Sequence, residues 1–595
     1  MKHRMILLAA VALVAQLAVG FAATTHAGAS VGPADDRQQT WPTGWWTYTG
    51  VTASTLSTLV TKDGARITSL QVDNPSVPTF TAVLVQNTGP YASGWWWYFG
   101  QTVAQVSALL TANSARLISA SPYATPGGVR LAVVMVPNSG GNQKAWWWFV
   151  GTTSFLSTQL STNHARMIEV DPWPGSSSTY LGIMVDNTGT NATGWWWYVH
   201  ASVPTVSSLL SSNHARLVDL SRNGDGTFNV VMYSNTGVRW YWYVGSSPSA
   251  AVRRAGQQGE RIIDAASYLV GGVKRFAVIE AQNTNVLSEA IWRIIGPTIP
   301  DGAYGFYLKQ VGGAVLAGVD QSSQYEPASA LKVLYHAVVI HKESLGLAHD
   351  GDTIVYHYNA ADPTNPGICP DNFATTASTS LINADQQMMW KSDNRMTRGI
   401  VERFGKTTML QYGHALGLTS TVIRHNIGCP TATTHNLTTL VDLGKVYEAF
   451  ANGTITTNAY WRAQFASRML NQSNYPGFKN GTCPVVSQEA AKLGRTPATA
   501  SAFCNDLTWI AKGGSYQYAG SFPYTVSWDG VSLTGVPFYT TGVVTMQYYI
   551  FGEYVDGTTI TSKAQANSIN QARGLEYQAA MRQIFDEALR TWPPS

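Results

Sequence analysis

Tyr325-Glu326-Pro327-Ala328-Ser329-Ala330-Leu331-Lys332-Val333-Leu334 is the stretch from which the C-terminal half of the chain is read. Pro327 is suited to open a helix, because the first helical N–H groups have no partner in any case. A helix starting there puts Ser329 in its first turn and Lys332 at i+3 on the same face. A serine hydroxyl is a poor nucleophile. A lysine beside it becomes a base only where burial or a neighbouring cation disfavours its charge. The helix N-terminus adds partial positive charge and free N–H donors where an oxyanion would form. Alone, S-x-x-K is a weak signal, since it equally describes an N-terminal serine and a solvated lysine.

Two further stretches follow in order: Ser392-Asp393-Asn394, then Lys512-Gly513-Gly514-Ser515. Together with S-x-x-K this set resembles the signature of penicillin-recognising serine hydrolases, the class A β-lactamases and penicillin-binding proteins. The resemblance covers residues 286–595 and implies an α/β sandwich. Residue by residue, it implies Ser329 as the acyl-forming nucleophile and Lys332 as its base. Ser392 would relay the proton to the leaving amine, and Asn394 would hold the substrate amide and contact Lys332. Lys512 would attract substrate and depress the amine pKa of Lys332. Gly513 and Gly514 would let the backbone approach substrate, with the N–H groups of Ser329 and Ser515 as oxyanion hole. Taken singly, Ser392 and Asn394 also read as a turn or N-cap, and K-G-G as a hairpin edge. One departure stands out. Class A β-lactamases place a glutamate on the loop after S-D-N to activate the deacylating water. The corresponding stretch, Ser420 to Pro430, contains no carboxylate. Glu402 and Glu448 read as solvated helix faces, and His425 as structural. Slow turnover of β-lactams is therefore expected.

The chain has 595 residues, too many for one core, so two or more domains are expected. Charged residues make up 12% and the net charge is +4, without a Lys/Arg cluster, which argues against nucleic acid. Met1-Lys2-His3-Arg4, an apolar run from Met5 to Ala22 and Ala27-Gly28-Ala29 describe a secretory signal peptide over 1–29. An uncleaved anchor helix is the alternative. No later segment is apolar and long enough to span a bilayer, so the expected product is secreted, free of the membrane and monomeric. Residues 30–43 read as a linker. Four cysteines, Cys369, Cys429, Cys483 and Cys504, suggest two disulfides in an exported chain. Three pairings exist, of which Cys369–Cys429 with Cys483–Cys504 is preferred. No C-x-x-C or H-x-x-x-H spacing argues for a metal, and Ser/Lys chemistry calls for no cofactor.

From 44 to 285 the chain repeats with a period of roughly 50 residues. Tryptophan clusters recur at Trp45-Trp46, Trp95-Trp96-Trp97, Trp146-Trp147-Trp148, Trp195-Trp196-Trp197 and Trp240-Tyr241-Trp242. An arginine recurs at Arg66, Arg116, Arg166, Arg216 and Arg261. An Asn-Thr or Asn-Ser turn recurs at Asn87, Asn138, Asn187, Asn235 and Asn283. Each of the five units reads as an aromatic strand, a short amphipathic helix and two further strands. So small a unit cannot bury its apolar face alone and must pack on its neighbours. The recurring arginine reads as a structural hydrogen-bond donor or a partner stacked on tryptophan. Successive strand residues point to opposite faces, so three tryptophans in a row cannot share one core. The second face either forms a docking platform for polysaccharide or peptide, or is covered; burial is the expected outcome. The fold class is therefore a multidomain α/β (α+β) chain: about five β/α repeats, then a β-lactamase-like sandwich.

These tandem W-W-W-Y-x-G … A-R-x-I … N-T-G units ahead of a β-lactamase-like domain resemble polyglycine hydrolases, secreted serine endopeptidases that cut Gly–Gly bonds in Gly-rich linkers. The resemblance covers almost the whole mature chain and implies an exported peptidase with a protein or peptide substrate. Two other readings compete: a D,D-peptidase, esterase or β-lactamase of the same family, and a wall- or glycan-binding protein whose hydrolase domain does not turn over. Within 286–595, helices are expected at Leu287–Ile295, from Ser329 through Val339, at Arg398–Phe404 and from about Ser568 to Trp592. Strands are expected at 305–311 and 314–319, at Thr508–Lys512 ending at the glycine pair, at Tyr524–Trp528 and at Val543–Ile550.

Overall fold

The computed structural model describes residues 42–88, 92–140, 143–299, 301–429, 434–470, 474–517, 521–540 and 542–593. The segment read as a signal peptide and most of that read as a linker lie outside the described residues. The chain divides into two compact units, Met1–Asn283 and Thr284–Ser595.

The N-terminal unit runs strand, helix, strand, strand five times over. The first repeat comprises Trp45–Thr52, the helix Ala53–Asp63, Ala65–Asn74 and Thr79–Gln86. Its last strand lies between the other two, antiparallel to both, and every later repeat has the same order. Each short helix starts the same way. Thr52, Thr102, Thr152, Ser202 and Ser247 accept the N–H three residues on through their hydroxyls, satisfying a donor the helix cannot.

The tryptophan triplets are half-buried and divided between two cores. The middle residue of each, Trp96, Trp147 and Trp196, packs in its own repeat, as Trp46 does in the first. The flanking pairs, Trp95 with Trp97, Trp146 with Trp148, Trp195 with Trp197 and Trp240 with Trp242, pack against the preceding repeat. The second face is therefore covered, and a neighbouring repeat is what covers it. Trp45 has no preceding repeat, and it packs with Val83 on the core of the fifth, beside Tyr243 and Phe276. The array is thus a closed ring. Polar contacts seal the same seam. Ser69 donates to Asp264 at 2.6 Å, Gln71 and Ser267 exchange two hydrogen bonds, and Lys274 pairs with Asp73 at 3.0 Å.

The recurring asparagines and arginines serve this construction. Asn87, Asn138 and Asn187 each exchange two hydrogen bonds with the backbone six residues on, at the entry to the next repeat. Asn283 makes the same pair of bonds to Thr43, at 3.1 and 2.9 Å, across 240 residues of sequence. Thr43 therefore belongs to the ring and not to the expected linker. The five arginines are buried, four of them almost completely. Arg166 donates to the carbonyls of Asp186 and Asn191 and to the hydroxyl of Tyr233 in the next repeat. It is thus the structural hydrogen-bond donor of the two expected roles, and its guanidinium lies over the ring of Tyr233 and not of a tryptophan.

The C-terminal unit is a sandwich about one antiparallel sheet. In order across it, the strands are Val315–Val319, Ala303–Gln310, Val543–Ile560, Tyr524–Thr540 and Thr508–Gln517. One face carries the terminal helices Val286–Ile295 and Lys563–Thr591 with Pro497–Asp506. The other carries Lys332–Ser344, Leu381–Trp390, Asn394–Phe404, Leu440–Ala451 and Ala459–Met469. Ten of the thirteen residues of Lys332–Ser344 are buried, so this helix is the axis of the second layer. Three expected strands prove longer. Thr508–Gln517 continues through the glycine pair instead of ending there, because Gly513 and Gly514 stay paired with Gly530 and Asp529. The two long strands run on to Thr540 and Ile560 in one ladder, paired through Gly530, Gly535 and Gly552 and shifted in register at Gly557. Cys369–Cys429 and Cys483–Cys504 are both bonded. No helix among the described residues is long and apolar enough to cross a membrane.

Candidate active site

The three motifs converge on one end of the buried helix. Residues Ala328–Leu331 form a tight 3-10 turn that leads into the α-helix at Lys332, so Ser329 sits on the turn and not in an α-helical one. Ala328 adopts φ +42, a left-handed conformation unusual for a residue with a Cβ. Its amide donates to the Glu326 carboxylate at 3.2 Å. The neighbours of Ser329 are buried while Ser329 itself is half-exposed, the condition for a reactive hydroxyl on a fixed frame.

Lys332 lies one turn on with its side chain wholly buried. Its Nζ donates to the Ser392 carbonyl at 2.6 Å, to Asn394 Oδ1 at 2.8 Å and to Ser392 Oγ at 3.2 Å. Burial, and next the charge of Lys512, push its pKa well below that of a free lysine; the Asp393 carboxylate opposes the shift. Lys512 approaches the same hydroxyl from the edge strand, donating to Ser392 Oγ at 3.0 Å and to the Gly513 carbonyl at 2.7 Å. Burial brings its pKa down to about 8 against the pull of Asp529. Ser392 therefore stands between two amines. It is held there in a left-handed conformation, φ +55, by the helix that starts just after it. Asp393 caps that helix through the amides of Arg395 and Met396 and pairs with the Arg395 guanidinium at 2.5 Å. The N-cap is thus Asp393, neither of the two residues for which that plain reading was open; Ser392 and Asn394 face Lys332.

Gly514 explains why the third motif needs a glycine. A Cβ there would stand 2.5 Å from the Ser329 amide nitrogen, 2.7 Å from the Pro327 carbonyl and 2.5 Å from Asp529 Oδ1. The strand can lie against the Ser329 turn only without a side chain. As the outermost strand of the sheet it also offers a row of backbone groups to that side. Gly513 and Ser515 are exposed on it.

Two carboxyl groups near the turn escaped the sequence reading. Asp529, opposite Gly514 in the ladder, is fully buried, and burial holds its carboxyl well above the usual range despite the charges of Arg573 and Lys512. Glu326 is also buried, with its second oxygen 3.2 Å from His425 Nε2 and 3.4 Å from His435 Nδ1. His425 further accepts the Asn436 backbone N–H at Nε2 and donates its own backbone N–H to Asn436 Oδ1, which makes it a brace of the loop that runs from Ser420 to Cys429. Glu448 corrects an expectation: it is half-buried and bound to Lys309 at 2.6 Å and to the Gly312 amide, not solvated. Glu402 is exposed as expected and pairs with Arg398.

Residues 286–519 match the model of the Beta-lactamase2 family, described as a beta-lactamase enzyme family. Over these residues the C-terminal unit is beta-lactamase-like. Among solved structures the chain is similar to a beta lactamase from Xanthomonas campestris pv. campestris, at 16% identity over 51% of this chain and 96% of that one, TM-score 0.34. It is similar to PBP-A at 16% identity over 51% and 96%, TM-score 0.36, and to a beta-lactamase from Chitinophaga pinensis at 12% over 50% and 100%, TM-score 0.36. No curated protein matches the chain.

Proposed function

We propose that the protein is a secreted serine endopeptidase that acts through a Ser329 acyl-enzyme, with Gly–Gly bonds of Gly-rich linkers as its candidate targets. The observation that carries this reading is the convergence of two buried amines, Lys332 and Lys512, on Ser392 beside a half-exposed Ser329. Neutral Lys332 takes the proton of Ser329 as Oγ adds to the substrate carbonyl carbon. The oxyanion is held by the amides of Ser329 and Ser515. The proton passes from Lys332 through Ser392 Oγ to the leaving amine, the C–N bond breaks, and the acyl group remains on Ser329. Water then adds to the ester, giving its proton to Lys332; the carbonyl carbon–Oγ bond breaks, Lys332 returns that proton to Ser329 Oγ, and the acid product leaves. Two disulfides fit an oxidising compartment. The repeat ring would dock or restrict the substrate.

Digestion of a peptide library by the wild type and by Ser329→Ala tests the reading. Cleavage at Gly–Gly that Ser329→Ala abolishes is expected. Release of a terminal D-Ala would favour the D,D-peptidase reading, and binding without any cleavage a non-turnover domain.

A further inference from the structure

A cavity of about 980 Å³ has walls that include Trp390, Phe450, Leu470, Trp509, Ile510 and Tyr548. Two of these walls belong to the elements that carry the site. Ile510 and Lys512 alternate onto the same face of the edge strand, which sets their Cα atoms about 6.6 Å apart. Both are buried on that face. Trp390 closes the helix that ends two residues before Ser392. Leu533, paired directly with Ile510, continues the floor, and the helices Leu440–Ala451 and Ala459–Met469 supply the far side.

The chemistry of this lining is one-sided. Among the described lining residues the only side-chain polar groups beyond the aromatic ones are the hydroxyls of Ser467 and Thr508, and no charged residue takes part. A volume in the range of sites for drug-sized ligands, walled by aromatic and aliphatic carbon, gains from an apolar occupant and gains nothing from glycine. The geometry points to a subsite for an aromatic or branched aliphatic residue of the substrate, set off from the scissile bond along the strand that carries Lys512. This rests on Ser329 being a peptidase nucleophile. It narrows the substrate from any Gly-rich linker to one flanked by an apolar anchor.

Blocked Gly-rich peptides bearing Phe, Leu or Ser at each of the four positions on either side of a Gly–Gly pair provide the test. At one or more positions, kcat/KM is expected to be at least tenfold higher for Phe or Leu than for Ser, with the difference in KM. Ala466→Trp, which fills the cavity from a half-buried position, and Leu470→Ser at its rim should each reduce that ratio at least fivefold. A ratio near one in the wild type, or one unmoved in a folded Ala466→Trp, overturns the subsite. Binding of the same peptides to Ser329→Ala, followed by tryptophan fluorescence, is independent of turnover. Tighter binding of the Phe peptide that Ala466→Trp abolishes would sustain the subsite even if no peptide were cut. Equal binding of Phe and Ser peptides would overturn it even if cleavage were observed.

Discussion

Lys332 holds three acceptors as an ammonium, yet must shed a proton before it can take one from Ser329. Its burial beside Lys512 is what makes the neutral form accessible. Lys332→Met is expected to lower kcat about 10³-fold without loss of fold, as measured by acylation kinetics and circular dichroism. The rate should rise with pH as Lys332 loses its proton, then fall near pH 8 as Lys512 loses the charge that attracts substrate. Stability changes with pH in the same direction as for a paired carboxylate, over a higher window. Lys512 titrates lower in the folded chain than in the unfolded one, so the native state binds fewer protons between about pH 8 and 10 and gains stability as pH rises through that window. Lys512→Met should therefore raise the melting temperature at pH 7, by about 3 °C, with the gain fading toward pH 10. Gly514→Ala is expected to abolish activity, since its methyl group would displace the Ser329 amide. Activity of that variant within tenfold of wild type would refute the wedge. Ser329, Lys332, Ser392, Asn394 and Lys512 were legible in the sequence because each sits in a short motif whose chemistry is local. Asp529 was not, since only the register of two strands brings it behind Gly514.

The 420–430 loop shows what an element contributes. Its end is tied by Cys369–Cys429, whose Cα atoms lie 4.6 Å apart, and Gly428, at φ +91, passes directly over the Asn394 amide. The Gly428 amide donates to the Tyr516 hydroxyl at 3.0 Å. Opening this bridge with Cys369→Ser and Cys429→Ser should cost about 4 kcal/mol, from the chain entropy of a loop of this length. Thermal unfolding would register that loss, and kcat should fall as Asn394 loses its cover. The same loop bears on turnover. It offers no carboxylate, and the nearby Glu326 is occupied by His425 and the Ala328 amide. Penicillin is therefore expected to leave a persistent acyl-enzyme, seen by mass spectrometry as one stoichiometric adduct; rapid repeated hydrolysis would contradict this. Helix positions in this half were readable from apolar spacing and caps. Strand lengths were not: the strand at Thr508 runs past its glycine pair because the neighbouring strand holds Gly513 and Gly514 in register, which no local signal reveals.

At the scale of the molecule, the period of the first half was plain from its tryptophans, arginines and asparagines. Closure was not, because nothing local in Trp45 or Asn283 says that they meet the fifth and first repeats. Asn283→Ala should lower the melting temperature of the N-terminal unit more than Asn138→Ala, since only the former unlatches the seam; equal losses would deny Asn283 any special part. An open stack of repeats can lengthen or shorten by a unit and needs a polar cap at each end. This one has no end to cap. Its membership is fixed by the angle through which each repeat turns, so excising or duplicating a single repeat would leave a gap or a surplus that no local repacking could absorb. Five is a geometric requirement of this wheel, and change within it is confined to substitution, spoke by spoke.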